Sequence, residues 1–158
     1  AYLPRYSFVA KAELFRVPLF GAAARAVGTI PIDRDNRAAA FQSYEDAVVQ
    51  IREGRSVVVF PEGTRGTTYA IRPFKKGPFV LAIAAGVPVV PTLLYGTIKV
   101  LPRGSLWLRA GRVDLHLLEP VATAGLGYDA REALSTCVHA RLAAELRDQY
   151  GLAPAVTA

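Results

Sequence analysis

Four consecutive residues, Glu62, Gly63, Thr64 and Arg65, can do chemistry together, and they follow the apolar run Val57-Val58-Val59-Phe60 and Pro61. A carboxylate and a hydroxyl can hydrogen-bond a polyol. A glycine lets backbone come close to a ligand. A guanidinium can hold a phosphate through two parallel hydrogen bonds. A second arginine, Arg34, leaves another apolar stretch, Ile30-Pro31-Ile32. Lys75 and Lys76 stand just before Gly77, where a helix is expected to begin, and a helix N-terminus favours an anion. The set reads as a phosphate site. The competing reading is a solvated basic surface around a structural Glu–Arg pair.

The elements that must position these groups alternate. An unbroken run such as 56–60 reads as a strand buried on both faces. Ligands in open α/β sheets bind just outside the carboxyl ends of such strands. Residues 29–32 read as a second strand. Phe41, Tyr44, Val48 and Ile51 are spaced three, four and three, which predicts a helix over 37–53 closed by Gly54. Residues 11–27 read as a helix interrupted at Pro18, its apolar side chains packed in the core. A helix over 77–85, a strand over 87–94 with two prolines that cannot donate to a ladder, and a strand over 112–118 follow. Leu134, Val138, Leu142 and Leu146 predict a last helix over 129–149. Together these define an α/β fold, a mixed and mostly parallel sheet flanked by helices, with one domain over 1–150 and a tail over 151–158.

Composition bounds the function. The 158 residues are 52% hydrophobic and 20% charged, which excludes a disordered chain. No apolar run approaches the ~20 residues that cross a bilayer, and nothing reads as a secretory leader. Nineteen basic against thirteen acidic residues give +6, compatible with phosphorylated substrates, anionic lipid or nucleic acid. Trp107 and seven tyrosines are scattered rather than arrayed for base stacking, so nucleic acid is not expected. One cysteine, Cys137, excludes an internal disulfide framework and reads as a small core residue. No metal cluster and no P-loop occur. Gly125 to Ala130 formally fits G-x-G-x-x-A but lacks a preceding strand, so it reads as a loop and helix cap. There is no methionine, which reads as a processed chain or a piece of a longer one.

Phe60-Pro61-Glu62-Gly63-Thr64-Arg65 resembles the FPEGTR block of the glycerolipid acyltransferases, typified by 1-acylglycerol-3-phosphate (lysophosphatidate) acyltransferases. Three further blocks resemble that family in its order. Phe8 to Leu14 is similar to the segment entering its first domain helix. Gly28-Thr29-Ile30-Pro31-Ile32-Asp33-Arg34 is similar to its second motif, and Val87 to Thr92 to its fourth. Pro73-Phe74-Lys75-Lys76-Gly77 resembles the usual connection. The likeness spans roughly residues 8–120.

The resemblance implies transfer of a fatty acyl group from acyl-CoA or acyl carrier protein to lysophosphatidate or a related lysolipid, with no further cofactor and no metal. It implies a peripheral protein on the cytoplasmic face of a membrane. Arg34, Glu62, Gly63, Thr64, Arg65 and Lys75 would hold the acceptor's phosphate and glycerol. The family's base is a histidine in an N-H-x4-D motif, and that motif is absent here. His116 and His139 are followed five residues on by Val121 and Ala144, and neither follows an asparagine. No catalytic residue is therefore expected in these residues, and the missing block is expected just upstream of Phe8. Gly66 also stands where the family commonly has serine. The alternative reading is a phospholipid- or acyl-thioester-binding module without turnover.

Overall fold

A computed structural model describes residues 6–32, 37–105 and 107–152, and the chain divides into two compact units, 1–60 and 61–158.

The first unit is a three-stranded parallel sheet in the order β2-β1-β3, with β1 Tyr6–Lys11, β2 Ile30–Ile32 and β3 Ser56–Val58. Val9 lies opposite Ile30 and Lys11 opposite Ile32, while Tyr6 lies opposite Ser56 and Phe8 opposite Val58. The connections are helical, as parallel neighbours require. α1 (Phe20–Ala26) joins β1 to β2, and α2 (Arg37–Arg52) joins β2 to β3. The central strand β1 was not expected. The helix anticipated over 11–27 is instead the end of β1, a 3₁₀ turn over Ala12–Arg16 and the short α1. Pro18 does break the segment. The next residue, Leu19, has φ 63° and ψ −50°, the rare and strained centre of a γ-turn closed by the Phe20 N–H on the Pro18 carbonyl at 2.7 Å.

Two further expectations are corrected in this unit. Leu14, Val17, Leu19 and Phe20 are exposed rather than packed in a core, Leu19 to 88%. The run of apolar types pointed inward, yet a 3₁₀ turn and a seven-residue helix offer too short a face to bury them all. The strand after α2 is also not buried on both faces. β3 has one partner among the described residues, Val57 and Val58 are half-buried, and Phe60 is exposed.

Buried positions here are mostly small: Gly21, Ala24, Ala47 and Ser7, with Ile30 and Ile32 the larger ones. Ser7 is fully buried, and its hydroxyl accepts a hydrogen bond from Arg55 Nη1 at 3.0 Å. Gly28 makes room for that guanidinium, since a Cβ there would lie 2.7 Å from Arg55 Nη1.

The second unit builds its core from large side chains. α5 (Arg131–Tyr150) turns Leu134, Val138, Leu142 and Leu146 onto Phe79 of α3 (Gly77–Ala85) and Leu93 of β4 (Thr92–Tyr95). The four-residue spacing read from the sequence is this buried stripe. Burying each such side chain stabilises by about 1.5–3 kcal/mol. β4 pairs antiparallel with β5 (Asp114–Leu117), Thr92 opposite Leu117 and Tyr95 opposite Asp114. The strand expected over 87–94 is shorter because Pro88 and Pro91 have no N–H. Val89 makes an isolated bridge with Val121, and Pro91 only accepts, from the Leu118 N–H at 3.0 Å. The four-residue α4 (Thr97–Val100) follows β4. α5 ends at Gly151, and Leu152, expected in a loose tail, packs on the core. Cys137 is half-buried. The two sheets and their helices make the mixed α/β class expected. No helix among the described residues is long and apolar enough to cross a membrane.

Candidate functional site

The segment after β3 is held in shape at three points. The Lys75 N–H donates to the Pro61 carbonyl at 2.8 Å, which ties the start of the motif to the approach of α3. The Arg72 N–H donates to Glu62 Oε2 at 3.1 Å, closing a ten-residue loop. Gly63 has φ 73°, a conformation that L side chains rarely adopt, so glycine is required there by the backbone itself. Glu62 therefore shapes the loop with an oxygen that the sequence assigned to an acceptor. Thr64 and Arg65 are exposed beyond it.

The two lysines before α3 differ. Lys76 Nζ lies 2.8 Å from Glu132 Oε1 at the start of α5. The hydrogen bond from Lys76 holds the Glu132 carboxyl below its ordinary range. Lys75 and Arg65 are exposed, and neither has an ion pair among the described residues. A cleft of about 580 Å³ opens between this loop and α5, lined by Gly66, Thr67, Arg72, Phe74, Ser135 and His139 among others. Arg34 lies outside the described residues. Its strand, β2, runs parallel to β3, so the chain leaves both at the same end of the first unit's sheet. In that unit, Gly28, Thr29 and Pro31 line a smaller cavity of about 170 Å³ with Ser43, Asp46 and Gln50.

The two histidines differ in their contacts. His116 Nδ1 is 2.9 Å from Glu145 Oε1, and its Nε2 is 2.7 Å from the Tyr150 hydroxyl. Tyr150 in turn donates to Asp114 Oδ2 at 3.3 Å. Both ring nitrogens of His116 are therefore engaged by neighbouring side chains. His139 packs edge-on against Phe74, centroids 4.9 Å apart, with Nε2 3.4 Å from the Ile71 carbonyl.

Sequence reasoning missed the groups that hold the loop. The Arg72 amide ties the far end of the loop to Glu62, and the stack Tyr69–Tyr95–Tyr150, with centroids 4.6 and 3.6 Å apart, ties Tyr69 to β4 and α5. Burial raises the Tyr150 phenol above its ordinary range, and the Asp114 carboxylate beside it raises it further. No local signal marks these partners, because each pairing spans ten to fifty-five positions.

A family model described as Acyltransferase matches residues 1–95, and the chain belongs to that family. Its relatives narrow the class. It is 39% identical over 117 residues to the chloroplastic 1-acyl-sn-glycerol-3-phosphate acyltransferase BAT2 of Brassica napus, covering 73% of this chain and 34% of that protein. It is 37% identical over 131 residues to the 1-acyl-sn-glycerol-3-phosphate acyltransferase of Salmonella typhimurium, covering 82% and 53%. The crystal structure of the 1-acyl-sn-glycerophosphate acyltransferase PlsC from Thermotoga maritima superposes with a TM-score of 0.75 at 26% identity, over 94% of this chain and 58% of that one. The chain thus spans from about a third to somewhat over half of these relatives.

Proposed function

We propose that these residues form the acceptor-binding part of a lysophosphatidate acyltransferase. The observation that carries this reading is the pinned 61–65 loop, which leaves Arg65 exposed and without an ion pair among the described residues, within a chain of the acyltransferase family. Arg65 holds the acceptor's phosphate, with Lys75 adding charge, and Glu62 and Gly63 keep the loop open to it. Thr64 supports the loop.

The donor is an acyl thioester of coenzyme A or acyl carrier protein. The acceptor hydroxyl attacks the thioester carbonyl, its proton goes to a base, and the thiolate leaves as the new ester forms. No further cofactor is required, because the thioester supplies the activated acyl group. The acceptor is lysophosphatidate or a related lysolipid, so the protein works peripherally at a membrane, on its cytoplasmic face.

Arg65→Ala tests the reading. A lost charge-assisted contact costs ~1.5–3 kcal/mol, about ten- to hundredfold. Calorimetry on the 158-residue chain should show lysophosphatidate binding weakened by that factor, and the intact protein should show the same rise in KM with little change in kcat. Unchanged binding removes Arg65 from the role.

The engaged histidines favour a second reading for these residues taken alone. They bind lysolipid or acyl thioester without turnover, because His116 is engaged at both ring nitrogens and neither histidine stands in an N-H-x4-D motif. Labelled acyl transfer by the 158-residue chain itself would overturn that second reading.

A further inference from the structure

The residues between β4 and β5 carry a feature that acceptor binding does not use. From Gly96 to Val113 there is no acidic residue, while Lys99, Arg103, Arg109 and Arg112 are all basic and all exposed. Arg112 is paired with Asp114 at 2.6 Å, and the other three have no ion pair among the described residues. Amid this charge stand two large apolar side chains, Trp107, 83% exposed, and Leu108, 74% exposed.

The loop is built rather than slack. The Arg109 N–H donates to the Val100 carbonyl at 2.9 Å and closes it at its base. The Ser105 N–H donates to the Pro102 carbonyl at 3.1 Å. Ser105 Oγ accepts from the Trp107 N–H and donates to the Trp107 carbonyl, both at 3.1 Å. That pair of bonds satisfies the tryptophan's backbone locally and leaves its indole projecting. A hydrogen-bonded loop whose described residues present Trp and Leu to water among basic side chains is costly in water. It suits a surface that is apolar below and anionic above. Tryptophan settles at the headgroup level of bilayers, and basic residues are drawn to anionic headgroups.

We propose that the 99–112 loop is a membrane-docking element, with Trp107 and Leu108 entering the interface of an anionic bilayer and Lys99, Arg103 and Arg109 contacting its headgroups. This rests on the lysolipid reading above, and adds where the protein meets the membrane in which such an acceptor lies.

Trp107 is the one tryptophan in the sequence, so its emission reports this loop alone. The 158-residue chain should be titrated with vesicles of phosphatidylglycerol in phosphatidylcholine, and with pure phosphatidylcholine. A blue shift on anionic vesicles, with quenching by brominated acyl chains and weakening in salt, is expected. Arg103→Gln and Arg109→Gln should each lower partitioning about fivefold, the equivalent of ~1 kcal/mol per basic residue. Both side chains are exposed, and glutamine keeps the Arg109 N–H, so folding should be retained, which circular dichroism checks. Co-sedimentation with unchanged Trp107 emission would overturn the loop's role and leave the acyltransferase reading standing. A response to arbitrary duplex DNA but not to vesicles would overturn it in favour of a nucleic-acid surface. Acyl transfer to detergent-dispersed lysophosphatidate by the intact protein tests the enzymatic reading without a membrane, so the two can fail separately.

Discussion

The two units bury different things. In residues 61–158 the interior is a stripe of leucines and a valine from α5 closed over Phe79, with Thr123 and Ser135 the buried polar residues. In residues 1–60 the interior is alanine, glycine and isoleucine around a fully buried serine that an arginine reaches in to satisfy. The same overall hydrophobicity serves both. In the first unit much of it is spent on exposed side chains such as Leu19, Phe20 and Phe60. The lesson is that apolar content does not measure core. Helices of nine and twenty residues can set a regular stripe against one another. A three-stranded sheet with short connecting helices packs by close backbone approach, where small residues and one well-placed donor decide stability.

The difference predicts unequal mutational costs. The largest loss should come from Phe79→Ala, because the ring is 2% exposed and sits at the centre of the apolar cluster. Emptying such a site costs ~3–5 kcal/mol. Ile30→Val in the first unit should cost about 0.5–1.5 kcal/mol. Urea denaturation of the two variants checks this, and equal midpoints would erase the contrast between a large-residue and a small-residue interior.

Next in size is Arg55→Ala, which leaves the Ser7 hydroxyl buried without its donor at a cost of ~1–3 kcal/mol. The sharper form is a double-mutant cycle. Removing both partners, Ser7→Ala with Arg55→Ala, should be less destabilising than the sum of the single changes, because no orphan hydroxyl remains. Strict additivity would mean that the bond does not organise the first unit.

Periodicity made the second unit legible and the first unit less so. The spacing of Leu134, Val138, Leu142 and Leu146 identified both a helix and its buried face, and α3 begins and ends at the residues expected. By contrast, Tyr6–Lys11 has only one fully buried side chain, Ser7, and serine carries no hydrophobic signal. The central strand was therefore masked by the apolar residues after it. At the candidate site, residue types could single out the loop but not its internal wiring. Glu62 looked like a ligand group because carboxylates in such motifs are polar and accessible. Its engagement with the Arg72 amide depends on a ten-residue excursion that no short-range rule predicts. Lys75 and Lys76 were equivalent as letters, and only the approach of α5 commits the second to Glu132.

The smallest effect should lie in the polar seam between β5 and the end of α5, where the second unit borrows the first unit's device of ionic and hydrogen-bonded pinning. The hydrogen bond from Arg112 holds the Asp114 carboxyl below its ordinary range, and Tyr150 adds a further donor. A carboxylate whose folded pKa is depressed contributes stability that is full above the unfolded value, about 4, and that is lost as pH falls through the folded one. Stability should therefore decline on the acid side below about pH 4, beyond what other carboxylates cause. Asp114→Asn should flatten that part of the curve while changing little at neutral pH, because Arg112 is largely exposed and its pairing is screened. Urea midpoints measured across the acid range for the two proteins decide the point. Parallel curves would show that the seam is held by the Tyr95–Tyr150 stack and the apolar stripe alone, which would widen the contrast with the first unit.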